Sequence, residues 1–491
     1  MAKHKRLVRV CVAFVVVLAS LGIGLLAAQD VYLQTDRLRR IINEEPDRTL
    51  LEYSGARSKG PGRIELDTLV LRIRDHNIEL RAQLEGVSLH VALRDLLRRR
   101  LHVTSIRAKR LSFRLRERLT QQESATVRAD LYPPIEGLPD PPIRPADEPK
   151  RHAAGRWRIV VDDLDVAQVH ELWVDTWHWT GDARVNGGFE LLPGREAVVG
   201  PARLTVASGA LRRGEPVADG TSGEVWARLP RFSPREYPGN DVWKIMTGGA
   251  RLRGKLQGLS FLTASASKGD AKLSGGRGTV VADMDARDGT ASVRLDVDAH
   301  EAVYRTGARV IRGDARLDLR ATQLDFVAGR TSLSGSRLAL SNVSVDGSER
   351  SDPWSTTLRA SAATLSLTTG ALTTHLDGTF RDARPVVAMV PSGLGRWAAD
   401  LLHLDGLKVS GQVRIAEDAL DIRSARGEAG NVTILADYHR RGASERGEIL
   451  VRKGILKVAV ELHDGKSSVK PGLKPPAVTS FFQRIKNFFS N

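Results

Sequence analysis

The chain has 491 residues, with 74 Lys+Arg against 58 Asp+Glu, a net charge of +16. Hydrophobic residues make up 41% and aromatics 5%. That is lean for several compact cores but enough for a sheet with one apolar face, and the excess of cations points to anionic neighbours. The single cysteine, Cys11, excludes a disulfide within the chain, so an exported domain would hold together by sheet pairing alone.

Lys3, Lys5, Arg6 and Arg9 precede an uncharged run from Val10 to Ala28. As a helix this run spans about 28 Å, close to the hydrocarbon thickness of a bilayer. Leading positive charge places the N-terminus in the cytoplasm and the rest across the membrane. A cleaved signal peptide ending near Ala27-Ala28 is the competing reading; a retained anchor is favoured because the run is long and helical spacing continues beyond it. Val31, Leu38, Ile41 and Ile42 keep that spacing until Pro46.

Residues 64–113 then alternate with a period of two. Ile64 and Leu66, Leu69, Leu71 and Ile73, and Ile78, Leu80 and Leu84 each alternate with charged residues. This puts one apolar and one charged face on each strand. Between strands, Leu93, Leu96, Leu97 and Leu101 fit a short amphipathic helix whose polar side carries Arg94, Arg98, Arg99 and Arg100. The strands beyond add Arg107, Lys109, Arg110, Arg114, Arg116 and Arg118, the densest cationic patch in the chain. It suits a solvated face or a surface for anionic head groups. Interleaved aromatics for base stacking are missing, which argues against nucleic acid.

A basic tail, one membrane helix, a bridging helix, then P-G-R-I-E-L-D-T-L-V-L-R and L-R-D-L-L-R-R-R-L-H-V-T-S-I-R-A-K-R-L-S-F-R together resemble the start of the bacterial AsmA-like proteins. Those share a repeated β-groove with chorein-type lipid-transfer proteins. The resemblance implies a bacterial inner-membrane protein projecting into the periplasm and concerned with phospholipid transport or envelope lipid homeostasis.

Pro133, Pro134, Pro139, Pro141, Pro142, Pro145 and Pro149 exclude helix and central strand, so residues 129–152 read as a linker or loop. From Trp157 onward short alternating strands follow one another, on the order of 25–30 at the usual spacing. Asp288-Gly289, Asp346-Gly347, Asp377-Gly378 and Asp464-Gly465 supply hairpin turns. Trp173, Trp177 and Trp179 occupy alternate positions, which would set them on one face with His178 opposite. Leu394, Trp397, Ala398, Leu401 and Leu402 have helical spacing, and Asp241–Met246 suggests another short helix.

The run Gly249 to Leu256 matches a phosphate loop until Leu256 replaces the Ser/Thr hydroxyl, and it alternates like a strand. Asp283, Asp285, Asp288 and Gly289 fit a hairpin turn better than a calcium loop. No nucleophile elbow or metal-ligand spacing is found, so neither catalysis nor a cofactor is expected. After Lys470 to Pro476, a stripe of Val478, Phe481, Phe482, Ile485, Phe488 and Phe489 suits an interfacial membrane helix or a plug in a groove.

The expected fold is mainly β: an elongated, curved antiparallel β-sheet groove of repeated strands, with one N-terminal transmembrane helix and a few short amphipathic helices. The expected segments are the anchor (1–29), a first groove segment (30–128), the proline-rich linker (129–152), the repetitive body (153–465) and a C-terminal linker and helix (466–491). Ile64, Leu66, Leu69, Leu71, Ile73, Ile78, Leu80, Leu84, Trp173, Trp177 and Trp179 would face lipid; Arg94, Arg98, Arg99 and Arg100 would meet head groups. The expected partners are phospholipids, the inner membrane through residues 10–28, and envelope or outer-membrane proteins at the C-terminal end. A non-transporting scaffold with a closed sandwich or solenoid body is the alternative.

Overall fold

The computed structural model describes residues 43, 46–125, 127–146, 157–192, 195–233, 236–237, 239–262, 272–306, 309–345, 353–382, 405–416, 419–442, 444–464 and 466–471. The expected anchor, the helix at 394–402, the turn at 346–347 and the C-terminal stripe lie outside them. No helix among the described residues is long and apolar enough to cross a membrane. The described residues are mainly β, with short helical turns. The chain forms two compact units: residues 1–254 with 286–288, and residues 255–285 with 289–491.

In the first unit β1 (Thr49–Ser54) and β2 (Arg57–Gly60) both pair with β3 (Arg63–Arg74). β4 (Ile78–Val91) and β5 (Arg100–Glu117) follow antiparallel. β6 (Arg158–Val174) then pairs with β5 in parallel, from Arg100↔Arg158 to Leu115↔Val174. β7 (Trp177–Leu192), β8 (Glu196–Arg213) and β9 (Glu215–Phe232) return to antiparallel order, and β10 (Thr247–Leu256) pairs with β9. The sheet is therefore mixed rather than wholly antiparallel.

The proline-rich segment explains the parallel pair. A parallel connection must carry the chain back along the whole strand, which takes a dozen residues or more and is usually helical. Prolines forbid a long helix, and residues 129–146 lie along the sheet as a strap. Its described part packs closely: Tyr132, Pro133, Ile135 and Pro142 are buried.

In the second unit β11 (Lys272–Arg287) and β12 (Thr290–Thr306) flank the turn Asp288-Gly289. Asp288 has φ 49° and Gly289 φ 82°, the left-handed pair that a two-residue hairpin requires. β13 (Arg309–Asp325) pairs with β12, β14 (Arg330–Ser332) and β15 (Arg337–Val345). β16 (Trp354–Ser366), β17 (Leu372–Phe380), β18 (Leu407–Ile415), β19 (Ala419–Ala429), β20 (Val432–Arg441), β21 (Ser444–Lys453), β22 (Leu456–His463) and β23 (Lys466–Pro471) continue as an antiparallel meander. Asp377-Gly378 is not a turn. It lies inside β17, where Gly378 pairs with both Leu358 and Val409.

The expected amphipathic helix shrinks to a single turn, α1 (Leu93–Leu96). The Ala92 amide donates to the His102 carbonyl, and Arg99 turns left-handed at φ 55°. Arg100 then opens β5, so Leu101 belongs to a strand and packs on its core. A second turn, α2 (Gln121–Ser124), starts at a capping box of Thr120 and Glu123. The expected helix at 241–246 is a 3-10 turn over Gly239–Lys244.

Candidate functional site

Cross-strand partners share a face, so a row of partners can be followed across each sheet. In the first unit one row runs Leu51, Leu71, Ala82, Phe113, Leu172, Trp179, Leu211, Ala218. In the second unit a row runs Val297, Leu317, Leu338, Leu358, Gly378, Val409, Gly427, Ile434, Val451, Val458. At ~4.8 Å per strand this second row is about 43 Å long. Each row is apolar or glycine at every position. Most members are half-buried, and among the described residues no second sheet or long helix covers them.

The apolar pattern skips a beat in many strands, and the backbone corrects it. In β3, β4 and β5 the apolar step lengthens to three residues at Leu66–Leu69, Leu84–Val87 and Ala108–Leu111. Strict alternation would send the two halves of each strand to opposite faces. Instead, Leu66, Val87, Ile106 and Ala108 join Leu69, Leu84 and Leu111 in one cluster. Gly86, left-handed at φ 59°, sits in the middle of this break. A left-handed residue inside a strand rotates the backbone as a bulge does, and glycine takes that conformation without strain.

The second unit repeats the device without glycine. Steps of three occur at Ala299–Ala302, Leu340–Val343 and Ile422–Ala425, each at a break in register. The residues turned left-handed are Glu301, Asn342 and Ser424, with φ 56°, 53° and 51°. An aspartate on a paired strand bonds each. The Glu301 amide donates to Asp314 at 3.1 Å, and Asn342 Nδ2 donates to the other Asp314 oxygen at 2.7 Å. The Ser424 amide donates to Asp437 at 2.6 Å. The Asn342 side-chain bond, with the Glu301 amide, holds the Asp314 carboxyl below the usual carboxylate range. Sequence reading missed Asp314 and Asp437. Their signal was present: a three-residue apolar step with an aspartate 13 residues after the turned residue.

The residues expected to face lipid fall out as follows. Ile64, Leu66, Leu69, Leu71 and Ile73 sit in β3 opposite Leu89, Val87, Leu84, Ala82 and Leu80. Ile78 opens β4 opposite Glu117. Leu66 is buried and the others half-buried. The tryptophans do not share one face. The turn at Asp175 (φ 49°) lies between Trp173 and Trp177, and a hairpin turn resets the alternation. Trp173 pairs with His178, whereas Trp177 pairs with Val174 and Trp179 with Leu172. Trp177 and Trp179 therefore lie on the apolar face. Trp173 lies on the polar face, stacked on His178 with ring centroids 4.2 Å apart. Burial pushes the His178 imidazole down.

Part of that polar face is covered by the proline strap, and arginines of the sheet hold the strap in place. Arg116 is wholly buried and pairs with the equally buried Glu79 at 2.8 Å. Arg74 and Arg118 reach the other Glu79 oxygen at 3.4 and 3.5 Å. Arg116 also donates to the carbonyls of Pro133 and Pro139, and Arg114 to that of Pro134. Arg72 donates to the Glu136 carbonyl, and Trp173 Nε1 to that of Leu131. The strap thus lies on a bed of guanidinium groups that satisfy its carbonyls. Tyr132 on the strap has its phenol pushed up to about 12, by burial first and then by Asp175 and Glu117. The expected cationic patch is therefore split: Arg116 and Arg118 are buried and Arg114 half-buried beside Glu171, whereas Arg107, Lys109 and Arg110 stay exposed, Arg110 pairing with Glu85 and Arg107 with Asp163.

Arg94, Arg98 and Arg99 do stay exposed, around the tip of the β4–β5 connection, while Arg100 is half-buried. Leu97, at that tip, is 91% exposed. His102 fixes the tip to the sheet. Its two ring nitrogens lie 2.7 Å from Asp95 Oδ2 and 2.7 Å from Asp162 Oδ2. The bonds to Asp162 and Asp95 raise the His102 pKa, and the bond to His102 lowers that of Asp95.

The run Gly249 to Leu256 lies within strand β10, and Asp283 and Asp285 in β11. Among the described residues no cluster of His, Cys, Asp or Glu could hold a metal ion. Searches against protein-family models, curated proteins and solved structures find no match to this chain.

Proposed function

We propose that this chain is a membrane-anchored bacterial envelope protein that binds phospholipid by its acyl tails on the apolar sheet face and conducts it along that face, without catalysis. One observation carries the reading: the apolar rows persist across strand after strand, with left-handed residues at Gly86, Glu301, Asn342 and Ser424 where alternation would break them. A structural sheet that needed only a core would not have to keep one face continuous. Head groups would ride in water at the rim, which avoids the cost of drawing a charge through hydrocarbon. The exposed Arg94, Arg98 and Arg99 would meet anionic head groups at the inner membrane.

The rival reading, an envelope-assembly scaffold, draws on the middle of the first unit. There Val87 is 1% exposed, and Val166 and Val169 are sealed at 0%, as in an ordinary core. Site-specific photocrosslinking in growing cells separates the two. A photoreactive residue at Leu319, on the apolar face, should capture phospholipid, and one at Asp318, on the polar face, should not. Equal labelling at both, or none at Leu319, would rule out the carrier reading and leave the scaffold.

A further inference from the structure

A second row of partners, on the polar face of the second unit, runs Asp296, Asp318, Arg337, Arg359, Asp377, Ser410, Arg426. It then changes character, continuing as Leu435, Leu450 and Ala459. The three form a separate apolar cluster, with Leu450 5% and Ala459 2% exposed. The opposite face stays apolar at the same strands, through Ile434, Val451 and Val458. The runs T-I-L-A, E-I-L-V and K-V-A-V of β20, β21 and β22 are hydrophobic without alternation, the pattern of strands covered on both sides. Beside this island, Asp437, Glu448 and Glu461 are partners in a row of three carboxylates.

From these observations we propose that the C-terminal tail of this same chain, Gly472 to Asn491, docks across Leu435, Leu450 and Ala459 on the outer face of β20–β22. Strand β23 ends at Pro471 opposite Val458, so the tail starts about 10 Å from β21 at the usual strand spacing. Its Val478, Phe481, Phe482, Ile485, Phe488 and Phe489 supply an apolar stripe at helical spacing. Its only charged side chains are Lys474, Arg484 and Lys486, complementary to the carboxylate row. The tail thereby covers a two-sided part of the sheet in the second unit and leaves the opposite apolar face free. This inference does not rest on the lipid-carrier reading.

The test uses the full-length chain in its membrane, with Cys11→Ser and two new cysteines joined by a short bismaleimide. Glu448→Cys with Phe482→Cys places one thiol on the outer face; Ile449→Cys with Phe482→Cys places it on the inner. The outer pair should cross-link within one chain roughly tenfold more than the inner pair, because docking holds the thiols together beyond the millimolar effective concentration of a loose tether. Equal yields, or a larger yield for the inner pair, would overturn the proposal in favour of a plug in the apolar groove. Cross-links only between chains would overturn it in favour of a second copy on this face. A second variant needs no change to the sheet. With Phe481→Ser and Phe488→Ser, the cross-link from Glu448→Cys should fall to the inner-face level, whereas an unchanged yield would sink the idea.

Discussion

The two units treat their polar faces differently. In the first, Arg72, Arg114 and Arg116 hold down a proline strap, and Glu79 lies buried among three arginines. In the second, the polar face of β12, β13 and β19 carries exposed pairs two residues apart along one strand: Arg294 with Asp296, Arg320 with Asp318, Arg426 with Glu428. Identical residue types thus act as internal framework beneath the strap of the first unit and as a solvated surface where no strap lies. What decides is whether a segment of chain covers them. A covered arginine must satisfy its donors from carboxylates and carbonyls, whereas an exposed one is satisfied by water.

The comparison sharpens under mutation, and the largest effect belongs to the buried pair. Arg116→Ala leaves Glu79 buried against weaker partners and strips the strap of two donors. We expect a loss of about 3–5 kcal/mol from the first unit, measured by urea denaturation. Arg320→Ala in the second unit removes an exposed pair and should leave the urea midpoint nearly unchanged by the same measurement. Comparable losses at the two sites would erase the distinction between framework and surface.

Bulge supports rank next. Asp437→Ala removes the acceptor for the left-handed Ser424 amide, and Asp314→Ala that for Glu301. Each should lower stability by about 1–2 kcal/mol and raise amide exchange at the turned residue. Gly86→Val should cost the first unit a similar amount, about 1–2 kcal/mol, because valine resists the left-handed conformation. A neutral Gly86→Val would show that the break in β4 tolerates ordinary backbone.

The smallest effect is on pH. The bonds to Asp162 and Asp95 raise the His102 pKa above its unfolded value, so its contribution is fully present below that unfolded value, about 6.5. It fades as pH rises through the folded value. Exchange protection of residues 92–99 should therefore fall on going from mildly acid to alkaline pH. His102→Gln should flatten that dependence, and an unchanged profile would show that the clamp is not titrating.

Much of this could be read without coordinates, and the failures are specific. Period-two alternation marked β3 to β5 and the strand character from Trp157 onward, because a half-buried strand must alternate; it over-counted the strands, since β6 to β9 run 16 to 18 residues each. The Asp288-Gly289 turn was legible because few residue pairs accept two left-handed positions. The spread of tryptophans over two faces was not, because a two-residue turn at Asp175 shifts the count. Nor was Arg116: its sequence neighbours look like those of any surface strand, and its burial depends on a strap of residues 129–146.

Sequence alone settled that the described chain is built of amphipathic strands, since the alternation of side chains is a local property of extended backbone. Tertiary structure alone decided that β5 and β6 run parallel, that Glu79 and Arg116 are internal, and that Leu66 and Leu69 share a face three residues apart. Each of those depends on which distant segment lies alongside and on a backbone rotation at residues such as Gly86. Neither leaves a periodic trace in the chain.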